Sequence, residues 1–319
     1  MKRLSLFLLT VLFLNASSCA PTNSAKQTAS SPVTTALTRT DDPTVEPAWD
    51  GDATNWMAKL PDETLLYDIT IPGTHDSGAS RDDFLGKFAQ CQSLSIAEQL
   101  SCGVRFFDIR LKLIGDSLDV YHSIVDQQLT FETVRRQCKD FLADHPDEVI
   151  LLCIKEEDDN NAGFAKAVEK AIQADGDLWY TENALPTLGE ARGKIVLFRR
   201  FGGSSQGINC ANGWWDNTDF TLNNGVTIHV QDYYRLETTS NIKTKWSKIE
   251  THMKKAYRTD ALCINFASGY TGMVDITSVS NEINPKLTEY FTGQQGAYGT
   301  ILCDFVTPAL ASLLIATNF

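Results

Sequence analysis

From Tyr67 onward, short runs of β-branched and aromatic residues alternate with stretches whose apolar residues recur at helical spacing. The runs predict strands at Tyr67–Ile71, Val104–Arg110, Glu148–Ile154, Lys194–Phe198, Val226–Val230, Ala261–Phe266 and Thr300–Phe305. In 130–143, Phe131, Val134, Cys138, Phe141 and Leu142 fall on one face of a helix. Segments 162–174, 241–257 and 308–316 also predict helices. Strands alternating with helices make βα units around a mostly parallel sheet, and about seven units in roughly 260 residues point to a closed or nearly closed barrel. A doubly wound open sheet is the alternative, but no Gly-rich dinucleotide fingerprint follows the first strand.

This layout sorts the polar residues. His75, Arg110, Lys155, Arg200, Asp232 and Asp304 all fall at or just past the predicted carboxyl ends of strands. In a βα barrel those ends converge on the face where active sites are built. Any one of the six could be a solvated strand end or a helix cap. Six on six different strands point to a site. The stretch Ile71-Pro72-Gly73-Thr74-His75-Asp76-Ser77-Gly78 breaks at Pro-Gly, which predicts a loop carrying His75. Histidine's ordinary pKa near ~6.5 suits a base at neutral pH.

Upstream of the barrel, Lys2-Arg3 precede an apolar run from Leu4 to Leu14, too short to span a membrane, and small residues lead to Cys19. Residues 1–18 therefore predict a lipoprotein signal peptide, with Cys19 as the lipidated first residue. An ordinary secretory leader is the plainer alternative. Residues 19–48 are rich in Ser, Thr and Pro and predict a disordered tether with a root-mean-square span of roughly 25–30 Å. Residues 49–319 are expected to form a single catalytic barrel domain. The expected location is the cell envelope, at its periplasmic face or the cell surface, or the medium.

The net charge of −12 falls to −14 once Lys2 and Arg3 leave with the leader. So acidic a chain, with no basic stripe, excludes nucleic acid as a partner. The seven cysteines beyond Cys19 cannot all pair within one chain. Cys91 with Cys102 is the expected disulfide, whereas Cys153, Cys263 and Cys303 read as small buried hydrophobes. No Cys or His cluster has zinc-site spacing.

The chain resembles the bacterial phosphatidylinositol-specific phospholipases C from about Asn55 to its end. The resemblance rests on Ile71-Pro-Gly-Thr-His-Asp-Ser-Gly78, Phe107-Asp-Ile-Arg110, the strand ending in His122, and Ile154-Lys-Glu-Glu157. It continues through Gly193-Lys-Ile-Val-Leu-Phe-Arg-Arg200, Val230-Gln-Asp-Tyr-Tyr234, Cys263-Ile-Asn-Phe266 and Cys303-Asp-Phe305. It implies a distorted, incompletely closed TIM-type (βα) barrel. It also implies cleavage of phosphatidylinositol to diacylglycerol and inositol 1,2-cyclic phosphate. By resemblance, His75 is the general base and Asp304 orients it, while His122 is the general acid with Asp76 as its partner. Arg110 holds the phosphate oxygens, and Asp108 belongs to the same catalytic set. Lys155, Arg200, Asp232 and Tyr234 bind the head group, the tyrosine by stacking on the inositol ring. Arg199 competes with Arg200, and strand alternation puts the two on opposite faces.

Calcium-dependent relatives carry a metal ion where Arg110 stands, so neither metal nor cofactor is expected. The expected partners are inositol phospholipids and a membrane interface, where Trp214 and Trp215 could anchor, and the expected state is a monomer. Ser123 replaces the family's usual Gly beside His122. His145, His229 and His252 read as structural. A glycerophosphodiesterase would show a Glu-Asn-Thr run near the first strand, and none is present. Glycosylated inositol anchors, another head group, or an inositol-lipid or phosphoglycan-binding lipoprotein without turnover remain alternatives.

Overall fold

A computed structural model describes residues 49–83, 89–157, 161–257, 259–270 and 275–319. The leader, Cys19 and all of the tether lie outside the described residues. In chain order the elements are β1 (Thr70–Thr74), α1 (Ile96–Ser101), β2 (Phe106–Ile114), β3 (Ser117–His122), β4 (Val125–Thr130), α2 (Phe131–Asp144) and β5 (Ile150–Glu156). Then come α3 (Phe164–Ala174), β6 (Trp179–Tyr180), α4 (Leu188–Ala191), β7 (Ile195–Arg200), β8 (Ile208–Asn209), β9 (Asp219–Asn223) and β10 (Thr227–Gln231). The chain ends with α5 (Asn241–Ala256), β11 (Leu262–Phe266), α6 (Ile276–Phe291), β12 (Gly299–Cys303) and α7 (Pro308–Ala316).

Nine strands hydrogen-bond in the order β6-β7-β5-β2-β1-β12-β11-β10-β9 and curl through 223°. All neighbours in this row are parallel except the edge pair β9–β10. The sheet is thus a βα barrel that stops short of closure, as the sequence pattern leads one to expect. The β3–β4 hairpin hangs from β2, antiparallel to it.

Strand alternation divides the core in two and builds the site at once. On β2, Phe107, Ile109 and Leu111 pack under the helices, while Phe106 faces the barrel interior. The same split sends Leu151 and Cys153 of β5, Val196 and Phe198 of β7, Ile228 and Val230 of β10, and Leu262, Ile264 and Phe266 of β11 inward. Continuing each inward series by two residues gives Asp108 then Arg110, Lys155, Arg200, Asp232 and Ser268. On β1 and β12, the steps after Ile71 and Leu302 are Gly73 then His75, and Asp304. An apolar plug therefore carries a polar layer at its carboxyl end.

The first strand departs from the expected Tyr67–Ile71. It starts at Thr70 and runs straight through Pro72-Gly73 to Thr74. The proline is tolerated because its carbonyl, and so its nitrogen, faces β2, whose pairing with β1 begins only at Gly73↔Phe106. Gly73 is needed for closeness: a Cβ there would sit 3.1 Å from Leu302 Cγ and 3.2 Å from both Phe106 Cβ and Thr300 Cγ2. The sequence pattern also missed α6, which keeps Pro285 inside it. Burial of Val279, Ile283, Leu287 and Phe291 on one face overrides the proline.

The expected Cys91–Cys102 disulfide does not form; both thiols are free and buried. Cys102 Sγ turns to the Gln99 carbonyl at 3.3 Å, whereas Cys91 Sγ lies 3.9 Å from His122 Nδ1. The two side chains therefore serve different surroundings.

At the opposite end of the barrel, Arg105 and Glu148 form a wholly buried pair at 2.7 Å. Arg105 also donates to the carbonyls of Leu100, Val104, Ala53 and Thr54, and Glu148 accepts from the backbone of Met57 and Ala58. This pair fastens the segment before β1 across the barrel floor. Arg105→Ala leaves Glu148 as an uncompensated buried charge, and a loss of about 3–5 kcal/mol is expected in urea unfolding. An unchanged midpoint would show the pair to be dispensable.

Candidate active site

The polar ends of the strands line one cavity of about 700 Å³, bounded among others by His75, Arg110, His122, Lys155, Arg200, Asp232, Tyr234 and Asp304. Asp76 and Asp108 sit beneath its floor, fully buried. The structure therefore brings the ten candidate residues of the barrel to one place.

His75 follows β1, and its ring is fixed from both sides. Nδ1 is 2.8 Å from Asp304 Oδ1, and Nε2 is 2.8 Å from Arg110 Nη2. A guanidinium only donates, so Nε2 presents its lone pair and Nδ1 carries the proton given to Asp304. That is the tautomer of a base whose free nitrogen faces the cavity. Gln92, buried and without any signal in the sequence pattern, donates to the carbonyls of His75 and Cys303 at 2.8 Å each. It ties the ends of β1 and β12 together, and with them His75 and Asp304.

His122 ends β3 and is oriented the same way. Nδ1 lies 2.7 Å from the Ala89 carbonyl, which only accepts, so the proton sits on Nδ1 and Nε2 is the end that exchanges one. Asp76 Oδ2 is 3.8 Å from that nitrogen, an ion-pair distance and not a hydrogen bond. Asp76 itself has a left-handed backbone with φ 42°, and its N–H donates to Asp108 Oδ2 at 3.2 Å. Burial pushes its carboxyl up, against the pull of Arg110 and His122. Ser123, where the resemblance has glycine, takes φ 55° and donates its N–H to Glu157 Oε1 at 2.8 Å. The left-handed turn explains the glycine, and the bond to Glu157 accommodates the serine.

Arg110 is the electrostatic centre. It donates to Asp108 Oδ2 from Nε at 3.2 Å and Nη2 at 2.9 Å, and its Nη1 lies 3.5 Å from Asp76 Oδ2. Burial alone would raise the Asp108 carboxyl, but Arg110, Arg200 and His75 outweigh it and hold the group well below its ordinary range. Across the sheet, Arg110 pairs in register with Lys155, and Lys155 with Arg200. Three cations thus stand side by side on β2, β5 and β7. Lys155 is held by Glu157 at 2.6 Å, and burial, with Arg110 next to it, lowers its ammonium pKa.

Arg199 turns away and bonds the carbonyls of Gln206 and Phe201. Arg200 faces in, 3.6 Å from Asp108, with its guanidinium 3.6 Å above the Trp214 ring. Trp214 is therefore a wall of the cavity: its Nε1 donates to Asp232 Oδ2 at 3.0 Å. It packs against the site and does not reach outward, whereas Trp215 is 65% exposed. Tyr234 donates to Asp216 Oδ1 at 2.6 Å and stacks on Tyr270. The other histidines lie apart: His145 packs on Phe141, His229 bonds Thr221, and His252 is buried with its pKa lowered to about 4 by desolvation.

Two imidazoles of fixed tautomer, His75 backed by the Asp304 carboxylate and His122 by the Ala89 carbonyl, flank a guanidinium. This arrangement can take a proton on one side of a phosphate, give one on the other, and neutralise charge between them. Known proteins resemble this chain in sequence and in fold. The X domain of phosphatidylinositol-specific phospholipase C matches residues 69–201. The 1-phosphatidylinositol phosphodiesterase of Staphylococcus aureus strain Newman is 32% identical over 260 residues, spanning 74% of this chain and 82% of the relative. That of Listeria monocytogenes is 35% identical over 152 residues, 44% of this chain and 47% of the relative. A crystal structure of the Staphylococcus aureus phosphatidylinositol-specific phospholipase C superimposes with a TM-score of 0.76 at 27% identity, over 86% of this chain and 100% of that one. With an open barrel common to both and most of each sequence aligned, this chain belongs to the bacterial phosphatidylinositol-specific phospholipase C family.

Proposed function

We propose that the protein cleaves phosphatidylinositol by internal transfer, with the inositol 2-hydroxyl as nucleophile. His75 Nε2 takes the hydroxyl proton as the oxygen attacks phosphorus. The bond to the diacylglycerol oxygen breaks, and His122 Nε2 supplies the proton that oxygen needs. The products are diacylglycerol and inositol 1,2-cyclic phosphate, which water opens with the two histidines in exchanged roles. Arg110, leaving His75 for the phosphate, neutralises the charge that builds on the non-bridging oxygens. Asp304 keeps the His75 proton on Nδ1 and supports the imidazolium once it forms.

The observation that carries this reading is the His75 ring, with Nδ1 on Asp304 and Nε2 turned to the phosphate-binding arginine. Lys155, Arg200 and Asp232 supply charged and hydrogen-bonding groups for the inositol hydroxyls, and Tyr234 an apolar ring face. At the mouth, Trp215, Tyr270 and the neighbouring Ile124 are exposed. They suit a bilayer surface, from which the head group can enter the cavity. Among the described residues, no helix is long and apolar enough to cross a membrane. Residues 1–18 as a leader and Cys19 as a lipid-bearing residue would place the enzyme at the envelope as a tethered monomer.

Because a guanidinium is there to neutralise the phosphate, turnover of phosphatidylinositol micelles is expected to persist in excess EDTA, with cyclic inositol phosphate as the first product in ³¹P spectra. Recovery only on adding calcium would overturn the role of Arg110. No turnover in either condition would favour a binding protein or another phosphodiester.

A further inference from the structure

We propose that Asp76, Cys91 and His122 form a site for a thiophilic divalent cation such as zinc, whose occupancy takes His122 out of the reaction. The free thiol of Cys91 lies under the floor of the cavity, between the two histidine–carboxylate pairs. Its position is imposed by the backbone: the Cys91 N–H donates to the Ala79 carbonyl at 2.9 Å, and its carbonyl accepts from Phe305 at 2.7 Å. Sγ lies 3.9 Å from His122 Nδ1, and because that nitrogen's proton goes to the Ala89 carbonyl the ring offers Nε2, 3.8 Å from Asp76 Oδ2, as its ligand. One ligand atom each from Asp76, Cys91 and His122 falls within 4.8 Å of the others. A tetrahedral zinc ion, with bonds near 2.0–2.3 Å, sets its donors roughly 3.3–3.8 Å apart, so a contraction of about 1 Å completes the set.

The carboxylate points independently to a ligand. Asp76 is wholly buried, and neither of its oxygens has a hydrogen-bond partner. Its nearest cationic groups, Arg110 and His122, stand at 3.5 and 3.8 Å. His75, Cys91 and Asp304 make a second set around the same thiol, but the 2.8 Å hydrogen bond between His75 and Asp304 already closes that side. Asp304 Oδ2 is also unpartnered, but only Asp76 has both oxygens without a hydrogen bond beside this thiol.

Charge permits the ion despite Arg110. The carboxylates Asp76, Asp108, Asp232, Asp304 and Glu157 face the cations Arg110, Lys155 and Arg200. This leaves two net negative charges before a divalent ion and a thiolate are added, and one after. Burial keeps the Cys91 thiol protonated at rest. Binding therefore forms the sulfur–metal bond as the thiol proton leaves to solvent, with no change of oxidation state. His122 lines the cavity, so the cavity is the entry path.

Inhibition rests on the role proposed for His122; binding does not. The purified protein is titrated with cobalt(II), whose near-ultraviolet charge-transfer absorption requires a thiolate ligand. One equivalent is expected to produce the band, and zinc to abolish it by competition. Cys91→Ala, and Cys91→Ser with its similar volume, are expected to lack the band, while Cys210→Ala, which removes a thiol lining the cavity, keeps it. A band that survives both Cys91 substitutions, or no band in the wild type, overturns the site. Micromolar zinc is expected to suppress phosphatidylinositol turnover in the wild type and to leave Cys91→Ala at its chelator-treated rate. A band without inhibition overturns the link to His122. Absence of turnover even with EDTA overturns the proposed reaction and leaves the spectroscopic result standing.

Discussion

Replacing His75 by alanine is expected to lower kcat for cyclic inositol phosphate release by about 10⁴-fold, the upper end of what a positioned acid–base group contributes. The estimate is high because nothing nearby can take its place. The nearest groups to Nε2 and Nδ1 are Arg110, which cannot accept a proton, and Asp304, which lies behind the ring with Oδ1 at 2.8 Å from Nδ1. The substitution leaves substrate contacts intact, so KM should move little and the loss should fall on kcat. Asp304→Asn separates orientation from proton transfer. An amide can present N–H to Nδ1 and favour the wrong tautomer, turning the proton of Nε2 toward Arg110. A loss of at least about 10²-fold is expected. Substantial turnover in His75→Ala, measured by ³¹P spectroscopy beside an unchanged unfolding midpoint, would remove His75 as the base.

Much of this site was legible because strands have a period of two. Val196, Phe198 and Arg200 share one face of β7, so the charged end of an apolar series already separates Arg200 from Arg199. The same rule reaches Arg110 through Phe106 and Asp108. What lay outside that rule was not legible. Trp214 stands in a loop, and only the folded chain brings its ring under Arg200 and its Nε1 to Asp232, 18 residues further on. Gln92 and Cys91 sit on an irregular segment where sequence neighbours do not indicate direction. A Cys91–Cys102 disulfide was the expectation, but backbone bonds to Ala79 and Phe305 aim Cys91 at His122 instead. Local signals also misplaced elements: Pro72-Gly73 reads as a break yet lies inside β1, and Pro285 disguises α6. In both places tertiary packing outweighs local propensity.

The second large effect concerns Arg110, where activity and stability depend on the same bonds. Arg110→Lys keeps a positive charge but loses the planar fork, so it cannot hold Asp108 through two nitrogens and still reach the phosphate. A fall of about 10³-fold in kcat is expected, the scale of losing a preorganised charge clamp. Arg110→Ala goes further and leaves Asp76 and Asp108 buried beside a missing cation. A stability loss of about 3–5 kcal/mol above neutral pH is expected from urea unfolding. Its pH dependence has a definite sign. In the wild type the Asp108 carboxyl is held below its ordinary value, so it stabilises the fold above about pH 4 and loses that contribution as pH falls toward its depressed pKa. Without Arg110, burial dominates and Asp108 takes up a proton at higher pH, while the raised carboxyl of Asp76 rises further. Protonation relieves the variant before it affects the wild type. The stability gap should therefore be widest at neutral pH and narrow on acidification. A gap that stays constant or widens as pH falls would mean that Arg110 does not set the charge state of these two carboxylates, and the electrostatic account of the site would fail with it.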